Sequence, residues 1–350
     1  MQINSINIPI YGYHSNVKNN KNAYKKMSVQ CLFCSGISSF KGKSVQDKIG
    51  IIPSAQGTDL EINLEKRLGV NPIPTEVKKF KNGETYVNIS GNVRGKDVYI
   101  MPPSGDNVNE RLMETYLKAD AAKRAGANKV IAVMPNFDYA RQERRTKVGE
   151  PITARLNMDL LKTSGVDGII TTDLHTPAIE GFASNDMNIV HLDSIDVMKD
   201  YIQKKQIPSL VIVSPDMGGM KRVDKLAKEL DCDKAVVYKH RQAHNEATAE
   251  CIIGDVAGKN CILYDDMIDT AGTIAAAARL LKKKGANDIY VCASHGLFNG
   301  DAMKKLQDAP IKEVIVTNSV EKKPNSIEKI KQVDISVEIA KAMQALSQAG

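Results

Sequence analysis

The sequence predicts an α/β fold of two related, doubly wound domains, each with a mostly parallel sheet. Two observations carry this. From residue 47 onward, short apolar runs of strand length alternate with helix-length segments, a pattern that favours a parallel sheet covered by helices on both faces. The pattern then recurs. Val93-Arg94-Gly95-Lys96 before one strand matches Val256-Ala257-Gly258-Lys259 before another, and Gly126-Ala127-Asn128 matches Gly285-Ala286-Asn287, each pair about 160 residues apart. The loops beginning at Pro53 and Pro215 recur at nearly the same offset.

In chain order, Ile49–Ile52 is a strand, Pro53–Thr58 a loop, and Asp59–Leu68 a helix closed by Gly69. Lys78–Ile89 reads as two extended segments around a turn at Asn82-Gly83. Asp97–Met101 is a strand, Glu110–Arg124 a helix stopped at Gly126, and Lys129–Pro135 a strand. The β-branched run Gly168–Thr172 is another. Leu210–Val213, the loop Ser214–Gly219 and the helix Met220–Leu230 open the second half. Cys261–Tyr264 is a short buried strand, followed by an acidic loop and an alanine-rich helix, Ile274–Lys284, with Gly285 as its C-cap. The expected boundaries are a first domain over 47–192, a second over 193–333, and a C-terminal helix over 334–350 that packs back on the first domain.

Composition narrows the function classes. A chain of 350 residues, 42% hydrophobic and 25% charged, is that of a soluble globular protein with a large core. No apolar run reaches membrane-spanning length, so no membrane role is expected. The net charge of +7 resides almost wholly in residues 1–46, which hold six lysines and no Asp or Glu. That extension is expected to be disordered, and the near-neutral remainder carries no nucleic-acid footprint. Cys31 and Cys34 form a lone CxxC with no second pair, read as incidental, and Gly36 to Ser44 misses the P-loop spacing by one residue. The remaining cysteines suit reduced core thiols and a cytoplasmic setting, with organelle targeting by the extension left open.

The chemistry concentrates at strand ends. Asp265, Asp266 and Asp269 fall within five residues, followed by Thr270, Ala271, Gly272 and Thr273 at the start of a helix. Small residues and a helix N-terminus cradle a phosphate, threonine hydroxyls donate to it, and carboxylates accept from vicinal sugar hydroxyls. Such a loop suits a phosphorylated sugar. The plainer alternative is an acidic loop capping the helix through Asp269 or Thr270. Asp173 and His175 lie two apart after a strand, where they can share a ligand such as a Mg²⁺–nucleotide. His175 reads equally as a loop histidine bonded to backbone. Asp216, in Ser214-Pro-Asp-Met-Gly-Gly219, can take a metal-bound water or act in a helix cap. Arg141 and Gln142 lie in a basic run suited to polyphosphate, or to a solvated loop. Lys239 and Arg241 lie in a basic segment able to close over a triphosphate, or to form plain surface charge. Phe80, Asn82 and Glu84 can stack on and bond to a base, or simply build a hairpin.

Five motifs together, Phe80–Glu84, Tyr139–Gln142, Thr172–His175, Ser214–Gly219 and Asp265–Thr273, resemble the class I ribose-phosphate pyrophosphokinases (PRPP synthetases) in order and spacing over about residues 48–340. The resemblance implies a phosphoribosyltransferase-like duplication and transfer of the β,γ-pyrophosphoryl group of ATP to ribose 5-phosphate with Mg²⁺. It implies that Asp269–Thr273 bind the 5-phosphate and Asp265 and Asp266 the sugar hydroxyls. Asp173, His175 and Asp216 would serve the metal, with His175 also serving ATP alongside Arg141 and Gln142. Phe80, Asn82 and Glu84 would reach the adenine from a neighbouring subunit, and Lys239 and Arg241 would be the catalytic pair. A homo-oligomer, a hexamer built from dimers, is implied. The alternatives are a phosphoribosyltransferase, which shares the last motif alone, and a catalytically silent paralogue. The chain departs from phosphate-regulated members at Asn92, at Val148-Gly149-Glu150 and in its C-terminal segment.

Overall fold

A computed structural model describes residues 45–348 apart from 55–56, 104–106, 241–248 and 324, and gives the backbone alone at 239, 240, 249 and 250. The extension with its CxxC and near P-loop, and Arg241, lie outside the described residues.

One helical turn, α1 (Val45–Lys48), leads into β1 (Ile49–Ile52) and α2 (Asp59–Leu68). The hairpin β2 (Thr75–Lys79) and β3 (Thr85–Ile89) follows, then β4 (Asp97–Ile100), α3 (Val108–Arg124), β5 (Lys129–Val133), α4 (Thr153–Thr163), β6 (Gly168–Thr172) and β7 (Asn188–Leu192). Five of these strands form a wholly parallel sheet in the order β1-β4-β5-β6-β7, and the hairpin stands apart as its own ribbon. α3 begins ahead of the expected Glu110 because the Asn107 side chain accepts the Glu110 N–H at 3.3 Å.

The second half runs α5 (Ile195–Lys204), β8 (Leu210–Ser214), α6 (Met220–Leu230), β9 (Asp233–His240), β10 (Ala249–Ile253), β11 (Asn260–Ile268), α7 (Gly272–Lys283), β12 (Ile289–Gly296), α8 (Ala302–Asp308), β13 (Glu313–Thr317), β14 (Ile330–Val333) and α9 (Ser336–Gln348). Its sheet has the order β10-β9-β8-β11-β12-β13-β14, parallel except for the β9–β10 pair. The chain winds outward one way from β8 and the other way from β11, so the order reverses between those two neighbours. Ligands of doubly wound sheets gather at the carboxyl ends of strands beside such a reversal.

β1, β4 and β6 are buried along their whole length, as sheets covered on both faces require. α7 lies on one face of the second sheet, with Ile274, Ala278 and Leu281 against Val213, Leu263 and Val291. α6 lies on the other, with Val223 and Leu226 against Ile212 and Ile262. The last helix, α9, packs on the first sheet: Ile339 and Met343 join Ile49, Ile51 and Tyr99, and the Tyr99 hydroxyl donates to the Met343 carbonyl at 2.7 Å. No helix among the described residues is long and apolar enough to cross a membrane.

Candidate active site

β11 does not stop at Tyr264. It continues through Asp265 and Asp266 to Ile268, held on one side by β12 in register up to Ile268–Gly296. Aspartate disfavours strands, so pairing with a buried neighbour has overridden local preference. α7 then starts at Gly272, preceded by Ala271 in the left-handed region (φ 57°), with no side-chain cap. Neither Asp269 nor Thr270 caps the helix, which removes the plainer reading of this loop. Asp269 instead accepts from Arg141 Nη1 at 2.5 Å and from Asn299 Nδ2 at 2.9 Å. Burial works against its charge, but those two donors hold its carboxyl below the usual range.

Asp266 is buried and meets two partners. Its Oδ2 accepts from His175 Nδ1 at 2.8 Å, and its Oδ1 lies 3.5 Å from Arg222 Nη1. Burial opposes its ionisation, yet His175 and Arg222 keep its pKa low. Asp265 is pushed up, by burial and then by the neighbouring Asp266. Since a carboxylate only accepts, His175 carries its proton on Nδ1 and leaves Nε2 for a ligand, the carboxylate-backed arrangement common in metal sites. Asp266 raises the His175 pKa, partly offset by burial.

Asp173 departs from expectation. Its φ of 42° breaks the extended path on which a shared face with His175 depended. Its carboxylate turns instead to Ser294, whose hydroxyl donates at 2.6 Å, and to the Ser194 N–H at 3.2 Å. Next to Ser294, the buried His295 donates from Nε2 to the Thr172 carbonyl at 3.1 Å. Consecutive residues at the end of β12 thus hold consecutive residues at the end of β6, joining the two sheets. The Leu174 N–H donates to His191 Nε2 at 2.9 Å. Three residues in a row are fixed, and His175 is the one that reaches the acidic loop.

Asp216 is exposed at the head of α6, where its Oδ1 accepts the Gly219 N–H at 3.1 Å. Gln142 accepts from the Thr153 hydroxyl at 2.5 Å and so braces its loop against α4. Phe80 is 56% exposed on the hairpin, edge-to-face with Tyr86, and among the described residues none of Phe80, Asn82 and Glu84 bonds to the acidic loop. Lys239 lies in β9 opposite Glu250 of β10. Arg222, Asn299, Ser194, Ser294 and His295 belong to the site's surroundings and were not anticipated. No signal short of three-dimensional contact marks them.

Among the described residues no three His, Cys, Asp or Glu side chains converge as a metal cage. Mg²⁺ commonly takes one or two protein groups and completes its shell with water and substrate phosphates. The donors present fit a cation that arrives on a nucleotide.

An acidic loop at an open helix start, bonded to basic groups from a second parallel sheet, is the arrangement of a site for a phosphorylated sugar beside a second anionic group. Residues 49–165 match the N-terminal domain of ribose phosphate pyrophosphokinase, and residues 240–349 match the phosphoribosyl synthetase-associated domain. The chain is 41% identical over 282 residues to a ribose-phosphate pyrophosphokinase of Clostridium acetobutylicum, covering 80% of this chain and 88% of the relative. It is 42% identical over 280 residues to one of Bacillus caldolyticus, covering 79% and 87%. The crystal structure of phosphoribosylpyrophosphate synthetase from Mycobacterium smegmatis superposes with a TM-score of 0.81 at 34% identity, covering 87% of this chain and 100% of that one. The chain belongs to the ribose-phosphate pyrophosphokinase family.

Proposed function

We propose that the chain transfers the β,γ-pyrophosphoryl group of ATP to the C1 hydroxyl of ribose 5-phosphate, giving 5-phosphoribosyl 1-pyrophosphate and AMP for nucleotide biosynthesis. One observation carries the assignment of the site: Arg141 and His175 of the first half are bonded directly to Asp269 and Asp266 of the second. Donor and acceptor substrates therefore meet in one cleft. A phosphoribosyltransferase would not need the Arg141 and His175 side of it.

In this reading the 5-phosphate sits on the open start of α7, receiving the backbone N–H groups of its first turn and the hydroxyls of Thr270 and Thr273. Ala271 and Gly272 keep that approach free of side chains. Asp265 and Asp266 bind the sugar hydroxyls. The C1 hydroxyl then attacks the β-phosphorus in line, loses its proton, and AMP departs with the electrons of the broken bond. Such a transfer needs positioning and charge neutralisation more than a covalent nucleophile. Arg141, Gln142 and His175 hold ATP, and Lys239 and Arg241 stabilise charge as it develops. Asp173, His175 and Asp216 would hold Mg²⁺ carried in with ATP, and the ion would supply positive charge against the triphosphate. Asp173 also fixes the loop.

The chain works as a homo-oligomer, a hexamer built from dimers, in which Phe80, Asn82 and Glu84 serve a neighbour's ATP. The exposure of Phe80 on its hairpin supports this. Sedimentation of the full chain tests it, a monomer at working concentration being the contrary result. The free thiols Cys232, Cys251, Cys261 and Cys292 fit a cytoplasmic location.

The deciding experiment is AMP formation from ATP in Mg²⁺ buffer, with and without ribose 5-phosphate. AMP should appear only with the sugar phosphate. Lys239→Ala should lower kcat by about a hundredfold or more while ribose 5-phosphate still binds. Folded wild-type protein that forms no AMP overturns the activity.

A further inference from the structure

We infer that Arg222 is a positioning residue for the sugar, holding the Asp265–Asp266 pair in the geometry that receives the hydroxyls of ribose 5-phosphate. The inference rests on the ribose 5-phosphate reading of the acidic loop and names the group that makes that loop usable.

Two adjacent carboxyls on one strand repel each other, and each can rotate away from a shared ligand. Asp266 donates its backbone N–H to Asp265 Oδ1 at 2.8 Å, which fixes one oxygen of Asp265. Arg222 then spans both residues, with Nη1 3.4 Å from Asp265 Oδ1 and 3.5 Å from Asp266 Oδ1. Asp266 is also held through Oδ2 by His175. Asp269 has its own cation in Arg141, and among the described residues Arg222 is the guanidinium that meets the adjacent pair.

Its place in the fold separates it from ordinary helix-surface charge. Arg222 is the third residue of α6, directly after the Ser214–Gly219 loop, and β8 and β11 are neighbours at the point where strand order reverses. Lys225 and Lys228, further along α6, pair with Asp193 and Asp224 at the surface. The Arg222 side chain is 21% exposed and turns to the cleft. One nitrogen, Nη1, lies beside both carboxyls at once, and a lysine, which carries the charge but not the rigid planar group that sets that nitrogen in place, reproduces this only in part. The Arg222 backbone N–H donates to the Gly219 carbonyl at 3.1 Å, so the same residue touches both the Ser214–Gly219 loop and the acidic loop.

The test uses Arg222→Met and Arg222→Lys in the full chain, with KM for each substrate, kcat, thermal stability, and calorimetric binding of ribose 5-phosphate without ATP. Arg222→Met should weaken ribose 5-phosphate binding and raise its KM roughly ten- to a hundredfold, the loss expected of a charge-assisted contact, with KM for ATP within about twofold. Arg222→Lys should recover part of that loss. Unchanged ribose 5-phosphate binding in a folded Arg222→Met overturns the inference. So does an equal loss for both substrates together with lowered melting in both variants, which marks a merely structural group. If Arg222→Met does not fold, Arg222→Lys decides by the same split between the two substrates. Wild-type AMP formation that depends on ribose 5-phosphate, read in the same assay, keeps the activity standing whatever Arg222 does; its absence removes both.

Discussion

α2 and α7 each begin beyond the carboxyl end of a parallel strand, yet they treat their first turns in opposite ways. At α2, Thr58 accepts the Glu61 N–H at 3.3 Å, and Glu61 reaches back to the N–H groups of Thr58 and Ser54. This reciprocal box spends the free donors of the helix start on the chain itself. At α7 no side chain caps the helix, Ala271 sits in the left-handed region, and the nearby acids bond elsewhere. A helix start closed by its own side chains serves the fold. One left open beside hydroxyls and carboxylates has its donors in hand for an anion.

The contrast can be broken most severely with Gly272→Asp. A Cβ at Gly272 meets nothing nearer than 3.9 Å, so the fold accommodates the change, while the new carboxylate takes the place of the phosphate. Ribose 5-phosphate affinity should fall by about a hundredfold or more, because like charges in a shared site cost several kcal/mol, with the melting temperature unchanged or raised. Arg141→Met removes the clamp on Asp269 and, in the proposed reading, a donor to ATP, and KM for ATP should rise by about tenfold. Gly272→Ala adds only a methyl group. KM for ribose 5-phosphate should rise by a few fold while stability gains about 0.5 kcal/mol, measured by denaturant titration. The smallest effect on catalysis comes from opening the other helix: Thr58→Ala should cost about 1 kcal/mol of stability and leave both KM values within twofold. A loss of ribose 5-phosphate binding in Thr58→Ala would erase the distinction.

Much of this was legible in the sequence, for definable reasons. The bounds of α2, β6 and α6 follow from periodicity, Gly69 and the Ser214–Gly219 loop, all of them local signals. The acidic loop announced itself by composition. β11 ran further than its apolar residues because β12 supplied the pairing, a tertiary cause. Arg222 was invisible because a basic residue in Met-Lys-Arg-Val-Asp-Lys has the look of any solvated helix face. The shared face expected of Asp173 and His175 holds only in extended backbone, and the left-handed φ of Asp173 ends the strand there. The serines that claim its carboxylate lie 21 and 121 residues away.

The rivets between the ends of β12 and β6 are a hydroxyl and an imidazole that burial keeps neutral. Both tie the loop bearing His175 to the sheet that carries Asp266, so the separation between the two loops is set by the fold. The ordering entropy for bringing two reactants face to face is thus largely discharged before either arrives. In kinetic terms the framework behaves as a jig built before the substrates arrive.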